Sequence, residues 1–183
     1  MTATLAGSVD LLGRALDYTH GRLTQVRGGH LDRPTPCAGW RLSDLLVHME
    51  DSLDAFAEAA GGQVGVHLTH TTEGRVAAIE QKACALLGMW GRPGPGDVLV
   101  GGLDLASPLL VATAALEITA HGWDVGRGTG EAAPIPTDLA RALLPVAGLT
   151  VTEADRGIRF GPALPVPDDA DPDLRLLAFL GRT

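Results

Sequence analysis

One stretch of the chain, Ser107 to Asp124 (SPLLVATAALEITAHGWD), constrains the fold more than any other. It opens on Ser107-Pro108, a capping residue followed by the residue whose fixed φ suits the first helical position. It then runs apolar on most sides, so the helix it predicts has little solvent face and belongs at the centre of a bundle. Four residues break the apolar run: Thr113, Glu117, His121 and Asp124, at spacings of four, four and three. They share one stripe. Burying a carboxylate and an imidazole about 6 Å apart along a helix axis is costly unless something pairs with them. A stripe turned to solvent, a buried Glu117–His121 ion pair, or a divalent ion held from successive turns each meets that requirement. Spacing alone leaves all three open.

The rest of the chain predicts the neighbours of that helix. Ser8 reads as the N-cap of a first helix, with Val9, Leu12, Leu16, Leu23 and Val26 at helical spacing and Gly28-Gly29 as its stop. After the loop HLDRPTPCAGW, a second helix runs from about Leu42 to Ala60, apolar along Leu45, Leu46, Met49, Leu53 and Phe56. A third starts near Glu73 and is broken by GRPGPGD; VLVGGLDL then reads as a short extended or hairpin excursion. A fifth segment from Thr137 contains Pro145, which is expected to kink or end it. The tail FGPALPVPDDADP forms an arm leading into a last short helix, LRLLAFL, stopped by Gly181. The expectation is an all-α chain: one domain over residues 1–183 built as a four-helix bundle, with 160–183 as a C-terminal arm and short helix.

Composition narrows the function classes. Apolar residues make up 45% and aromatics only 4%, so the core must come from Leu, Val and Ala, which suits helices. The net charge of −8 disfavours nucleic acid and anionic lipid as partners. The run Leu109–Ala120 is too short to cross a bilayer and carries Glu117. The N-terminus lacks the basic start and apolar stretch of a signal peptide. Cys37 and Cys84 lie far apart and read as reduced thiols. These features predict a cytoplasmic protein; a small-molecule substrate and a monomer or homodimer are expected alongside, without composition fixing either.

A third ligand for a metal would have to come from another helix. His48 lies at the flank of the second helix's apolar stripe, beside Leu45 and Met49, where a histidine serves as a boundary residue or as a ligand. Asp44, one turn earlier, either orients the His48 ring or favours the helix N-terminus through the dipole. His67 and His70 fall in a loop and read as solvated. His20 falls on the first helix's stripe and reads as a core histidine. Cys37 has no base near it in sequence and reads as a buried loop thiol; Trp40 and Trp123 read as packing residues.

PTPCAGWRLSDLLVHM and ALEITAHGWDVGRGTG resemble the two signature segments of the DinB-like superfamily, in its mycothiol-dependent maleylpyruvate isomerase branch. The ending FGPALPVPDDADPDLRLLAFLGR is similar to the tail of a compact actinobacterial subfamily of that group. The resemblance implies a DinB-like bundle in which His48, Glu117 and His121 bind a divalent metal, usually zinc, with nickel, iron or manganese as other candidates. Asp44, Thr113 and Asp124 are then candidates for supporting the ligands. Arg41 stands where the family pattern has a threonine able to cap the second helix, so that cap must be made another way. The isomerase carries an additional C-terminal domain where this chain has a short tail, so the resemblance carries over the metal site and leaves the isomerase reaction open.

Two histidines and one carboxylate leave a position open on the ion, the pattern of catalytic zinc. Such a position holds hydroxide or thiolate, and the resemblance favours thiolate. The expected function is a mycothiol S-transferase or isomerase acting on a small electrophile. A thiol-independent metal lyase, cyclase or hydrolase and a non-enzymatic metal-binding stress protein are the alternatives.

Overall fold

Thr4, not Ser8, starts the first helix. Its side chain accepts the Gly7 backbone N–H, and α1 runs Leu5–Leu23, leaving Ser8 buried inside it. Both residues are capping types, and only the fold chooses between them. The computed structural model describes residues 4–60, 71–90, 97–100, 103–131, 133–157, 159–167 and 169–183. After α1 come α2 (Leu42–Ala59), α3 (Thr72–Trp90), a two-stranded antiparallel hairpin of β1 (Asp97–Val100) and β2 (Leu103–Ala106), α4 (Ser107–Thr129), α5 (Thr137–Thr150) and α6 (Pro172–Phe179). Among the described residues the fold is all-α apart from the hairpin. No helix among the described residues is long and apolar enough to cross a membrane.

The bundle is built from α1 to α4. α1 packs on α4 and α3, and α2 packs on the same two, so the helices alternate α1, α4, α2, α3 around the axis. Leu12, Leu42, Leu45, Leu46, Leu86 and Val111 are fully buried where these helices meet. α4 is buried along nearly its whole length, the central position that its apolar surround predicts. α5 and α6 pack on each other, and α5 also packs on α4.

Two helices run further than local sequence rules suggest. α5 continues through Pro145 to Thr150 rather than ending there, because Leu139, Ala140, Leu143 and Ala147 bury one face of it on both sides of the proline. Packing outweighs the lost hydrogen bond. α4 continues five residues past Asp124 through two glycines before Gly130, at φ +89°, ends it.

A third glycine of α4 fixes how closely α1 approaches. Gly122 lies against Thr19 of α1, whose buried hydroxyl donates to the Ile118 carbonyl at 2.9 Å. A methyl group at position 122 would overlap the Thr19 side chain and crowd its backbone. Gly122→Ala should therefore destabilise the protein by about 1–3 kcal/mol despite alanine's better helix propensity. Urea unfolding measures this; an unchanged or raised midpoint would contradict the close packing.

Candidate metal centre

The beginning of α2 is tied down by backbone rather than by a side-chain cap. The Leu42 N–H donates to the Arg33 carbonyl at 2.9 Å and the Ser43 N–H to the Leu31 carbonyl at 3.0 Å, so the preceding loop satisfies two of the helix's orphan donors. Asp44 does not turn to His48. Its carboxylate accepts the Arg41 N–H at 2.9 Å, which makes it part of the cap that Arg41 cannot supply from its own side chain. So anchored, α2 presents His48 toward α4.

His48 Nε2 lies 3.3 Å from Glu117 Oε1, and His121 Nε2 lies 3.2 Å from the same oxygen. The two imidazoles stand almost perpendicular, at 85°, with centroids 4.9 Å apart. One potential ligand atom from each of the three residues lies within 4.8 Å of the others. The stripe thus faces neither solvent nor one simple ion pair, since a single carboxylate oxygen meets two ring nitrogens. Thr113 stays outside this group: its hydroxyl donates to the Leu109 carbonyl one turn back, at 2.8 Å.

Asp124 is wholly buried and holds the other side of the His121 ring, with Oδ2 2.9 Å from Nδ1. Arg182, which follows α6, grips the same carboxylate with two nitrogens: Nε lies 2.9 Å from Oδ1 and Nη2 lies 2.8 Å from Oδ2. Gly181 permits that reach. It sits at φ +72° against Gly161, where any side chain would collide with the arm's backbone. Cys37 also belongs to this cluster, with Sγ 3.3 Å from Asp124 Oδ2 and 3.9 Å from His121 Nδ1. It is half-buried in its loop, and the fold brings it an imidazole from a residue distant in sequence. Cys37, His121 and Asp124 form a second group with metal-ligating spacing, sharing His121 with the first.

Sequence reasoning did not single out Arg182 or Arg159. The Arg159 guanidinium lies 3.9 Å from Glu117 Oε2. Both arginines come from the irregular C-terminal region, which has no periodicity to mark a functional face. A buried Asp124 does demand a cation, but thirteen arginines compete for that role and only tertiary structure selects one. His20 turns outward to Glu80, with 2.8 Å between Nδ1 and Oε1, and is mostly exposed. Trp40 is exposed instead of packed in the core, and its ring makes an edge-type contact with the His48 ring, with centroids 4.9 Å apart. His67 and His70 lie outside the described residues.

Burial alone would raise the Glu117 pKa, but hydrogen bonds from His121 and His48 outweigh it and hold the carboxyl well below its usual range. For Asp124, burial is outweighed by His121 and Arg182, and the pKa falls to about 2. Burial would lower His121, yet its contacts with Asp124, Cys37 and Glu117 raise it well above the usual imidazole value. These directions share one cause. With Nδ1 donating to Asp124, a neutral His121 would aim the Nε2 lone pair at a carboxylate oxygen. A proton or a metal cation between them removes that conflict.

Two cavities meet at this cluster, and their linings share Glu117 and His121 only. The outer one, about 580 Å³, lies among the Pro36–Trp40 loop, His48 and the C-terminal arm, and both Arg159 and Arg182 line it. The inner one, about 270 Å³, lies between α1, α2, α3 and α4.

A helical bundle with two histidines and a glutamate converging at its centre is the class of protein this structure defines. Residues 12–126 match the mycothiol maleylpyruvate isomerase N-terminal domain, and the chain belongs to that family. Two Mycobacterium tuberculosis relatives, uncharacterized protein Rv0738 of strain H37Rv and uncharacterized protein MT0763 of strain CDC 1551, are each 28% identical over 185 residues. Each alignment covers 93% of this chain and 94% of the relative. No solved structure matches the chain.

The Arg182–Asp124 pair generates a prediction. Arg182→Met strands a buried carboxylate and should cost about 3–5 kcal/mol. Arg182→Lys should recover only part of that, since an ammonium cannot make the two-pronged contact. Asp124 is depressed to about 2 when folded, against about 3.9 when unfolded. Its contribution is therefore complete above pH about 4 and lost as pH falls through about 2. The stability gap between wild type and Arg182→Met, measured by urea unfolding, should narrow over that window; a gap constant with pH would contradict the pairing.

Proposed function

We propose that His48, Glu117 and His121 hold one divalent metal ion, zinc in the first instance, and that the protein is an S-transferase or isomerase using mycothiol on a small electrophilic metabolite. The donor set supports this. Zinc takes imidazole nitrogen and carboxylate oxygen at about 2.0–2.2 Å, and a tetrahedron of that size has edges of roughly 3.3–3.6 Å. The separations of 3.2 and 3.3 Å between Glu117 Oε1 and the two Nε2 atoms lie close to the short end of that range. Asp124, fixed by Arg182, would set the tautomer and direction of His121, the arrangement typical of zinc-bound histidine.

The single observation that carries the proposal is the convergence of two imidazoles on one carboxylate oxygen between two cavities. Two neutral histidines and one carboxylate leave about +1 on a divalent site, so an anionic further ligand is favoured. A metal there would supply a Lewis acid that keeps a thiol ionised at neutral pH. The outer cavity, with Arg159, Arg182 and Trp40 at its wall, suits a polar thiol cosubstrate. In the reaction, the thiol sulfur bonds to an electron-poor carbon of a double bond, whose π pair moves to the neighbouring carbon. The proton released by the thiol returns to that carbon; reversal after rotation about the single bond completes an isomerisation. The cavities reaching the cluster favour an enzyme over a purely structural metal protein.

Two measurements test the proposal. At about 100 times its dissociation constant, a metal binding only the folded chain adds about 2.7 kcal/mol, so chelation should lower the melting temperature. Glu117→Gln should lose metal while keeping its helix, since the two residues have similar propensity. Cobalt-substituted protein titrated with mycothiol should develop a near-ultraviolet sulfur charge-transfer band and release protons. A silent spectrum with cobalt bound would remove the thiol mechanism and leave water activation in its place.

A further inference from the structure

We infer that the inner cavity is the binding site for the electrophile and that it selects a neutral, apolar molecule of one or two rings' size rather than a carboxylate substrate. This assignment of the cavity rests on the thiol-transfer reading above, while the selectivity follows from the cavity's own walls. Leu16, Leu23, Leu53, Ile79, Leu87 and Ile118, drawn from all four bundle helices, help make the lining surface largely apolar. Its volume, about 270 Å³, exceeds the roughly 150 Å³ that accommodates benzene in an apolar protein cavity.

Charge separates the two cavities. The ionisable groups lining the inner one are Asp17, His20, Glu80, Cys84, Glu117 and His121, with no lysine or arginine among the described lining residues. His20 is already paired with Glu80 at 2.8 Å. With a thiolate as the further ligand the metal site's charge of about +1 is cancelled, so a carboxylate entering here would meet acidic side chains and lose its hydration without a free cationic partner, which is unfavourable. The outer cavity is the reverse, with two arginines in its lining and Glu117 as its one carboxylate. Because Glu117 and His121 line both spaces, a thiol arriving from the outer side and an electrophile held on the inner side meet at the cluster. The cosubstrates therefore need not compete for one entrance. An uncharged electrophile gains from burial of its hydrocarbon surface at about 25 cal/mol per Å², which is the main source of affinity that such walls offer.

Fluorine NMR on the metal-loaded protein, with mycothiol saturating the open metal position, tests this with two probes of nearly equal shape, a fluoroindole carboxamide and the corresponding carboxylate. The neutral probe should bind at least about tenfold more tightly, a difference of about 1.4 kcal/mol. Ala83→Leu, which fills part of the inner cavity from α3, should weaken the neutral probe by a similar factor while metal content stays at the wild-type level. Equal binding of the two probes to wild type would overturn the inference, and so would unchanged binding to a folded Ala83→Leu protein. The wild-type comparison stands whether or not the variant folds. The cobalt–thiol spectrum is read separately. Its failure with selective fluoroindole binding intact would remove the thiol reading and keep the cavity's selectivity, whereas normal thiol binding with no probe selectivity would remove this inference alone.

Discussion

A carboxylate with no exposed surface sits on the central helix of this bundle, and much of the site's architecture follows from the need to neutralise it. Asp124 is gripped by Arg182 from beyond α6 and touches the Nδ1 side of His121. That contact directs His121 Nε2 at Glu117, which in turn meets His48 of α2. One line of charge thus joins the C-terminal segment, α4 and α2, apart from which the buried Glu50–Lys82 pair links α2 and α3. A buried charge without its partner is strongly destabilising, so the arm is held to the bundle by electrostatic need as well as by the apolar contacts of Leu176, Leu177 and Leu180.

The same line separates the two faces of the cluster. On the Nδ1 side, Asp124, Arg182 and Cys37 satisfy one another. On the Nε2 side, Glu117 Oε1 is shared by two ring nitrogens. A cation bound on the first side would have to compete with Arg182 for Asp124. On the second side it would take the place of a proton. This is why we propose the group of His48, Glu117 and His121 as the metal site in preference to Cys37, His121 and Asp124, which have comparable spacing.

Much of the fold was legible because its helices are amphipathic at the ordinary period, and α4 declared its central place by lacking a polar face. The boundaries that local rules misjudged are those set by tertiary packing. Thr4 outcompetes Ser8 as a cap and α4 persists through glycines; of the kink or end expected at Pro145, the end does not occur because buried leucines and alanines carry the helix past it. At the site, the spacing of Glu117, His121 and Asp124 was visible in one helix. His48 had no local mark distinguishing it from a boundary histidine, and the segment around it stood out only through family resemblance. Asp44 was ambiguous between orienting a ring and capping a helix, and the loop geometry resolved it toward capping. Arg182, Arg159 and Cys37 come from loops and arms, where the partner of a side chain is fixed by the folded path and leaves no periodic trace.

The central claim is that this metal is bound by two imidazoles and a carboxylate, with no sulfur from the chain itself. X-ray absorption at the zinc edge, on protein prepared without added thiol, reads the ligand set directly. The account predicts nitrogen and oxygen neighbours at about 2.0–2.2 Å, with the multiple-scattering pattern of two imidazoles. A sulfur neighbour near 2.3 Å would place the metal at Cys37 and contradict it, as would a spectrum with a single imidazole.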